Sequence, residues 1–317
     1  MKPDNAILSR AQGCLLGQCA GDALGQMVEF WSKEAIRHKY PDGVQNMENG
    51  GAWNTLAGQP TDDTEMALML ARSIVEEKKF DAQKVYDAYR YWFDSGPFDC
   101  GGTTMRGLSC RWFGKNKESQ ANGSLMRISP LGIYGSRFEL NTVAEWAMQD
   151  SRLTHPHPVC QKAVAIYATT IATTISNGLS HDDLYDLALI RARQEFYDPS
   201  VYETLQKAED VLPEDFKTQQ GWVLIALQNA FYHLLHAKDT EQAIIETVSE
   251  GGDTDTNGAI CGALLGAVHG VESIPPRWRH AVLNCRPSPD NPAARRPRPE
   301  CFWPVDVLEL AEKLLTC

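Results

Sequence analysis

Apolar residues recur every three or four positions along much of the chain, a spacing that predicts amphipathic helices. The clearest stretch is EMALMLARSIVEE at residues 65–77, and similar spacing occurs at residues 85–93, 158–175, 221–235, 240–248 and 305–315. No segment alternates apolar and polar residues as a half-buried strand would, and nothing suggests a βαβ repeat. We therefore predict an all-α fold in which residues 1–317 form one compact domain.

Three long segments lack this helical spacing, at about residues 30–60, 94–130 and 285–304. Loops of such length in a compact domain are usually either functional or disordered. These segments contain tryptophans, glycines and single charges rather than low-complexity sequence. We therefore predict ordered loops that surround a functional site.

Two segments of the chain carry a glycine at every fourth position. The first has Gly13, Gly17, Gly21 and Gly25, and the second has Gly258, Gly262, Gly266 and Gly270. Each glycine costs a helix about 1 kcal/mol relative to alanine, so some other interaction must offset that cost. Helices with such a stripe can bring their backbones into contact, and we predict that these two helices pack against each other.

Two clusters of acids and threonines precede predicted helices: PTDDTE at residues 60–65 and GGDTDT at residues 251–256. Asp62 and Glu65 have the spacing of a capping box, so helix capping is one explanation of the first cluster. Two adjacent aspartates exceed what one cap requires. Carboxylate and hydroxyl oxygens are ligands that hard divalent cations prefer. The matched pair therefore predicts a site for one or two such ions, and the spacing fits neither an EF-hand nor a phosphate-binding P-loop.

Composition and charge limit which kinds of partner and which cellular compartment the sequence favours. The net charge is −11 at pH 7, which disfavours nucleic acid as a partner. We expect the basic cluster of Arg295, Arg296 and Arg298 to be a solvated loop. The nine cysteines are scattered without a CxxC motif, which disfavours a disulfide framework and a cysteine zinc site. No apolar run is long enough for a membrane span and no secretory signal is evident, so we expect a cytoplasmic protein.

Five motifs occur in an order that resembles the ADP-ribosylglycohydrolase family. They are GDALGQMVEF (21–30), GQPTDDTEMAL (58–68), NGSLMR (122–127), LTHPHP (153–158) and GGDTDTNGA (251–259). The resemblance covers about residues 8–275 and is strongest to a bacterial member that removes ADP-ribose from arginine. It implies a single all-α domain with a cleft that holds two Mg²⁺ or Mn²⁺ ions.

The resemblance also implies roles for the acids. The family's metal ligands fall on Thr61, Asp62, Asp63, Asp253, Asp255 and Thr256. Glu29 matches a glutamate near the metal pair. Without the resemblance, the local sequence would suggest an ordinary acid in an exposed loop. Asp22 is expected to be a structural hydrogen-bond acceptor rather than a ligand.

Further positions are similar to substrate-contacting residues of the family. Asn122, Gly123 and Ser124 resemble a loop that binds ADP-ribose through its backbone, although Ala121 stands where the family usually has glycine. His155 and His157 resemble ligand-contacting histidines. The alternative is that both are ordinary loop residues without a specific contact. Trp222 matches an aromatic residue beside the ligand's rings, with a core aromatic as the alternative.

Asp99 matches an acid that arginine-acting relatives present near the scissile bond, and a carboxylate suits a guanidinium. Gly102 replaces an asparagine of the bacterial relative. The implied reaction is hydrolysis at the ribose anomeric carbon of an ADP-ribosylated protein. Its base would be Glu29 or a metal-bound aspartate, Asp62 or Asp255.

Two alternatives to this function stay open, together with the assembly state. The chain could hydrolyse another ADP-ribose linkage, to serine, a free metabolite or a nucleobase, or it could be an inactive ADP-ribose-binding module. We expect a monomer. Residues 286–317 lie outside the resemblance, and we predict a closing helix that packs through Leu308, Leu310 and Leu314 or Leu315, with a dimer contact as the alternative.

Overall fold

Helices account for the regular structure of the protein, which we analysed in a computed structural model that describes residues 3–109, 116–194 and 198–317. The α-helices are α1 (Asn5–Gly25), α2 (Lys33–Lys39), α3 (Asp62–Glu77), α4 (Ala82–Asp94), α5 (Gly102–Ser109), α6 (Ser129–Gly135), α7 (Leu140–Arg152), α8 (Pro158–Asn177), α9 (His181–Gln194), α10 (Pro199–Ala208), α11 (Val223–His236), α12 (Thr240–Ser249), α13 (Thr254–His269), α14 (Pro276–Leu283) and α15 (Val307–Thr316). Short 3-10 turns occur at Asn122–Ser124, Val271–Ser273, Glu300–Phe302 and Pro304–Asp306. Strand pairing within the described ranges is limited to three isolated bridges. The prediction of an all-α fold is confirmed.

Each stretch with clear helical spacing corresponds to a helix, namely α3, α4, α8, α11, α12 and α15, although α11 and α15 begin two residues later than the predicted stretches. The predicted long loops contain more structure than their sequence indicates, because α2 lies within residues 30–60 and α5 within residues 94–130. Both helices are shorter than three turns, so their apolar pattern is too brief to recognise. α2 is instead fixed by its cap, where the Ser32 hydroxyl accepts a hydrogen bond from Ala35 N at 3.3 Å.

The two glycine stripes face each other along the contact between α1 and α13, as predicted. A Cβ atom placed on Gly258 would lie 2.6 Å from the carbonyl oxygen of Gly21, and one on Gly25 would lie 2.5 Å from Cα of Asp255. Backbone therefore packs directly on backbone, with no room for a side chain. The Thr254 hydroxyl also donates to the Gly25 carbonyl at 2.7 Å. This contact places the end of α1 beside the start of α13.

The C-terminal helix closes the core as predicted. Leu310, Leu314 and Leu315 of α15 are buried and Leu308 is partly buried. The Gln12 amide of α1 donates to the Leu308 carbonyl at 3.3 Å, so α15 packs beside the glycine-striped helix. The residues buried in this region join the same continuous hydrophobic core as the rest of the described chain.

The expectation of a solvated arginine cluster was wrong for one of its three residues. Arg298 is buried rather than solvated, and its guanidinium forms two hydrogen bonds of 2.8 and 2.7 Å with the Glu65 carboxylate. Glu65 therefore does not act in a capping box, since it lies in the core and also accepts from Trp92 Nε1 at 2.7 Å. A buried carboxylate requires such a partner, because an isolated buried charge is costly. Arg295 and Arg296 are exposed, as expected.

The eight cysteines within the described residues are all free thiols, while Cys110 lies outside those residues. Among the described helices, none is both long enough and apolar enough to cross a membrane.

The glycine contact generates a first prediction. Gly262→Leu forces a side chain into the space between α1 and α13, where a Cβ atom would already lie 2.9 Å from the carbonyl carbon of Gly17. We expect the free energy of unfolding to fall by about 3 kcal/mol or more, measured by denaturant titration. Mn²⁺ affinity, measured by calorimetry, should fall at least about tenfold because the start of α13 is displaced.

The matched control is Gly96→Asn. A Cβ atom at Gly96 meets nothing within 4 Å, and asparagine tolerates its positive φ of 69°. This variant should keep the stability and the metal affinity of the parent. A Gly262→Leu protein with full metal affinity would show that the helix contact does not position the site.

Candidate metal centre and substrate pocket

The two acid clusters lie where α3 and α13 begin, and a buried aspartate holds the first of these helix starts in place. Asp22 of α1 accepts hydrogen bonds from Thr61 N at 3.0 Å and Thr64 N at 3.0 Å, and from the Thr61 hydroxyl at 3.0 Å. Burial raises the pKa of Asp22 to about 6. Asp22 thus fixes the first turn of α3 through hydrogen bonds, as the sequence indicated.

Glu29, Asp253 and Asp255 each offer one oxygen atom, and these three atoms lie within 4.8 Å of one another. Glu29 is only 4% exposed, so its reading as an exposed loop acid was wrong. Its carboxylate accepts a hydrogen bond from Trp53 Nε1 at 2.6 Å. The contact between α1 and α13 is what brings Glu29 to the aspartates.

The pocket beside these acids has a volume of about 230 Å³. Its described lining includes Glu29, Asp62, Asp99, Asp253, Asp255 and Thr256. Thr61 and Asp63 lie behind this surface and are fully buried. The Thr61 hydroxyl lies 3.0 Å from Asp63 Oδ2, while Asp63 Oδ1 has no hydrogen-bond partner among the described residues.

The electrostatics of this pocket are unfavourable without added positive charge. Burial, reinforced by neighbouring carboxylates, raises the pKa of Asp62 to about 7, of Glu29 to about 8 and of Asp99 to about 9. The same causes raise the pKa of Asp63 and Asp255 well above the usual range. No lysine or arginine is among the described residues that line the pocket. At neutral pH the cluster must therefore hold either protons or cations.

The donor set fits hard divalent cations. The ligand atoms that it offers are carboxylate and hydroxyl oxygens, which suit Mg²⁺ or Mn²⁺ rather than zinc. Asp63 Oδ1 is buried and has no hydrogen-bond partner among the described residues, which fits a metal ligand. Asn122 Nδ2 donates to Asp253 Oδ2 at 2.7 Å and so orients that carboxylate from the opposite wall.

The 3-10 turn Asn122–Ser124 forms this opposite wall, and its course is fixed from both sides. Asn122 N donates to the Gly221 carbonyl at 2.9 Å, and Ala121 pairs with Trp222 in an isolated bridge. A Cβ atom on Gly123 would lie 2.9 Å from Cε1 of His155, so glycine permits the close approach of the turn to that ring. Asn122 and Gly123 line the pocket, whereas the Ser124 hydroxyl is buried against Ser151.

His155 lines the pocket as a neutral imidazole. Burial, together with the nearby Arg127 and Arg106 guanidinium groups, lowers its pKa well below the ordinary value. Arg127 donates to the Thr154 hydroxyl at 2.8 Å, and that hydroxyl lies 2.7 Å from His155 Nδ1. In the tautomer in which this hydroxyl donates to Nδ1, Nε2 carries the ring proton.

His157 and Trp222 lie farther from the acids. His157 does not line the pocket; its Nδ1 accepts from Val159 N at 3.2 Å and so caps α8. Trp222 is half-buried and its Nε1 donates to Gln120 Oε1 at 2.9 Å. It lines a groove that shares Ala121 and Gly221 with the pocket, so the groove continues outward from the acids.

Several pocket residues could not be identified from their sequence pattern. Phe30, Gly101, Thr103, Thr104, Met126, Gln220 and Gly221 also line it. Gly101 N donates to Asp62 Oδ2 at 3.3 Å, and Gly102 lies beside it in the pocket lining. Five of them, Phe30, Gly101, Thr103, Thr104 and Met126, lie in the long segments predicted to be ordered loops, whereas Gln220 and Gly221 lie outside those segments.

Comparison with known proteins assigns this all-α fold with its carboxylate-lined pocket to a class of hydrolases. The model of the ADP-ribosylglycohydrolase family matches residues 3–315, so the chain belongs to that family. The match extends beyond residues 8–275 and includes the C-terminal segment.

Individual relatives are similar over most of the chain. The ADP-ribosyl-dinitrogen reductase glycohydrolase of Rhodospirillum rubrum is 31% identical, over 86% of this chain and 90% of that protein. The ADP-ribosylarginine hydrolase Tri1 of Pseudomonas putida is 29% identical, over 89% and 76% respectively. A solved structure of an ADP-ribosylglycohydrolase-related protein complex has a TM-score of 0.80 at 26% identity, covering 98% of this chain and 99% of that one.

The raised carboxyl pKa values predict how stability depends on pH. Asp62, Glu29 and Asp99 keep their protons to about pH 7, 8 and 9 in the folded protein, against ordinary values of 3.8, 4.5 and 3.8. The metal-free folded state therefore binds more protons than the unfolded chain, and its free energy of unfolding should fall as pH rises from about 4 to about 9. Calorimetric melting in the presence of chelator measures this.

Mn²⁺ should oppose that decline, because it binds the ionised carboxylates of the folded state. The melting temperature should therefore rise more on Mn²⁺ addition at about pH 8 than at about pH 5. Asp62→Asn should reduce both the slope in chelator and the Mn²⁺ effect. A metal-free melting temperature that climbs through this pH range would contradict the electrostatic description.

Because His155 and His157 have different surroundings, their substitution should affect ligand affinity and stability differently. His155→Ala removes a polar group of the pocket wall, and we expect about tenfold weaker ADP-ribose binding by calorimetry. His157→Ala removes the α8 cap, and we expect about 1 kcal/mol lower stability with ADP-ribose affinity unchanged. An equal loss of affinity in both variants would place His157 in the binding site.

Proposed function

We propose that this protein hydrolyses the N-glycosidic bond between ADP-ribose and an arginine side chain of a modified protein, with two Mg²⁺ or Mn²⁺ ions as cofactors. The observation that carries the proposal is the position of Asp99, which lines the same small pocket as Glu29, Asp62 and Asp255. An acid beside the metal-binding cluster suits the guanidine that leaves. The names of the two bacterial relatives, which refer to ADP-ribosyl-dinitrogen reductase and to ADP-ribosylarginine, support the same substrate class.

The metal ligands in this proposal are Thr61, Asp62, Asp63, Asp253, Asp255 and Thr256. Bound divalent ions supply the positive charge that neutralises the cluster, orients ribose hydroxyls and lowers the pKa of a water molecule. Asn122 keeps Asp253 directed into the pocket through its 2.7 Å hydrogen bond. Asp22 acts outside this set, because its carboxylate is occupied by backbone and hydroxyl donors from residues 61 and 64.

ADP-ribose lies along the opposite wall in this proposal. Asn122, Gly123 and Ser124 present backbone to the pyrophosphate, which lets a protein of net charge −11 bind a dianion without a basic patch. His155 donates a hydrogen bond from Nε2. The groove that leads past Ala121 and Gly221 directs the adenosine portion toward Trp222.

Glu29 is the proposed general base. A water that attacks the anomeric carbon gives its proton to this carboxylate, which Trp53 holds in place with a 2.6 Å hydrogen bond. Asp99 orients the guanidine as its bond to the ribose breaks. Asp62 and Asp255 remain essential because they hold the ions, whichever carboxylate receives the proton.

We further propose that residues 1–317 act as a single domain and as a monomer in the cytoplasm. Its partners would be an ADP-ribosylated protein and the ADP-ribose product, without nucleic acid or membrane. The support for a single domain is the continuous hydrophobic core to which both α1 and α15 contribute. The free state of the eight described cysteines supports a reducing compartment.

Variants of the metal ligands test the proposed reaction. We expect Asp62→Asn and Asp255→Asn to reduce release of ADP-ribose from arginine-linked protein by at least about 10²-fold, because each removes a ligand charge. A chelator should cause a similar loss, and Mg²⁺ or Mn²⁺ should restore activity to the parent protein only. Release is measured by chromatography of free ADP-ribose. The exposed acid Asp186 supplies the matched control, since Asp186→Asn should retain full activity.

The same assay with a serine-linked target separates the alternatives. Release from serine alone would overturn the arginine assignment in favour of another linkage. Release from arginine that persists in chelator and in both variants would contradict the metal mechanism. ADP-ribose binding without any release would indicate a binding module.

A further inference from the structure

Three aromatic side chains stand side by side at the acidic end of the pocket. The ring centroids of Phe30 and Trp53 are 6.3 Å apart at an interplanar angle of 77°, and those of Trp53 and Phe98 are 6.1 Å apart at 50°. Phe30 lines the pocket, and Phe98 immediately precedes Asp99. We call Phe30, Trp53 and Phe98 the aromatic wall.

The backbone of Phe30 adopts a conformation that phenylalanine disfavours. Its φ is 66°, which is a strained value for a bulky residue, and its side chain is 47% exposed. The backbone is fixed there, because Phe30 N donates to the Gly252 carbonyl at 2.8 Å and the Lys217 ammonium donates to the Phe30 carbonyl. An exposed ring on a strained backbone contributes little to folding, so its position calls for a functional explanation.

The other two rings lie on loops that the C-terminal arginines anchor. Arg296 Nε donates to the Trp53 carbonyl at 2.9 Å. Arg298, paired with Glu65 in the core, also donates to the Ser95 hydroxyl at 3.0 Å. Ser95 lies three residues before Phe98, so both loops are attached to one segment. The wall is therefore held in place before any ligand arrives.

The wall adjoins two carboxyl groups of the site. Trp53 donates from Nε1 to the Glu29 carboxylate, and Asp99 follows Phe98 along the loop. Aromatic faces attract cations, and a planar guanidinium can stack on a ring while it donates hydrogen bonds to carboxylates. A flat cation satisfies both features of this surface, whereas an uncharged hydroxyl-linked side chain gains nothing from the rings.

We propose that the aromatic wall is the subsite that receives the guanidinium of the modified arginine and thereby selects arginine over uncharged acceptor residues. This inference rests on the proposed function, since it concerns the leaving-group side of the same pocket. It assigns a role to Phe30, Trp53 and Phe98 that is distinct from ADP-ribose binding.

The test compares two wall variants with a remote control. Phe30→Gly removes a ring and relieves the positive φ, so the fold should be retained, and Phe98→Leu removes a ring while it keeps apolar bulk. Phe138→Leu is the control, because Phe138 is also an exposed phenylalanine, at 39%, and packs against Tyr134 and Trp146 away from the pocket. For each protein, KM and kcat are measured on ADP-ribosylarginine, together with the dissociation constant of ADP-ribose and inhibition by agmatine, a small guanidinium compound.

We expect each wall variant to raise KM for ADP-ribosylarginine and the inhibition constant of agmatine by about 3- to 30-fold, the range of a cation–π contact. The dissociation constant of ADP-ribose should stay within about twofold of the parent, and Phe138→Leu should change none of these values. Phe30→Gly should melt no lower than the parent, which separates loss of the ring from loss of the fold.

Three results would overturn the inference. An active parent with unchanged KM in both wall variants removes the role of the wall and leaves the proposed function intact. Equal losses of ADP-ribose and agmatine binding show that the rings support the whole pocket rather than the cation. A parent protein that releases no ADP-ribose from arginine overturns the proposed function and the wall together.

Discussion

Direct backbone contact between α1 and α13 is the constraint on which the rest of the structure depends. Glycines at every fourth position leave both helices without side chains on the facing sides, and the close approach offsets their low helix propensity. The contact fixes the end of α1 against the start of α13. Glu29 and Asp22 thereby come to the acid clusters from one side, and Asp253 and Asp255 from the other. The carboxyl groups of the pocket owe their arrangement to this pair of helices.

The site built on that frame concentrates carboxylates where the protein supplies no compensating cation. Asp63 and Asp255 are almost fully buried, and no basic side chain is found among the described residues that line the pocket. Elsewhere the chain neutralises its buried acids directly, as Arg298 does for Glu65 and Arg127 does for Asp150. The contrast shows that clustered buried carboxylates without a cationic partner are not a general feature of this core. The proposed cation site accounts for this difference, because divalent cations would supply the positive charge that the pocket lining lacks.

The sequence predicted what depends on local pattern. Helical spacing identified α3, α8 and α11, the glycine period identified the central contact, and the acids preceding two helices identified the pocket.

The features that the sequence did not predict depend on partners that are distant along the chain. Arg298 resembles a solvated residue in a proline-rich stretch, and its burial follows from Glu65, 233 positions away. His155 and His157 are equivalent in LTHPHP, yet Arg127 and Thr154 orient one ring into the pocket while the other caps α8. The burial of Glu29 depends on Trp53, which the sequence placed only in a loop.

The central claim is that the starts of α3 and α13 hold two divalent cations between them, and anomalous diffraction from crystals grown with Mn²⁺ tests it most directly. Two anomalous peaks are predicted in the pocket, with carboxylate oxygens of Asp62 and Asp255 among the nearest atoms. A well-ordered pocket without a peak at millimolar Mn²⁺, with the acids paired to one another through shared protons, would contradict it.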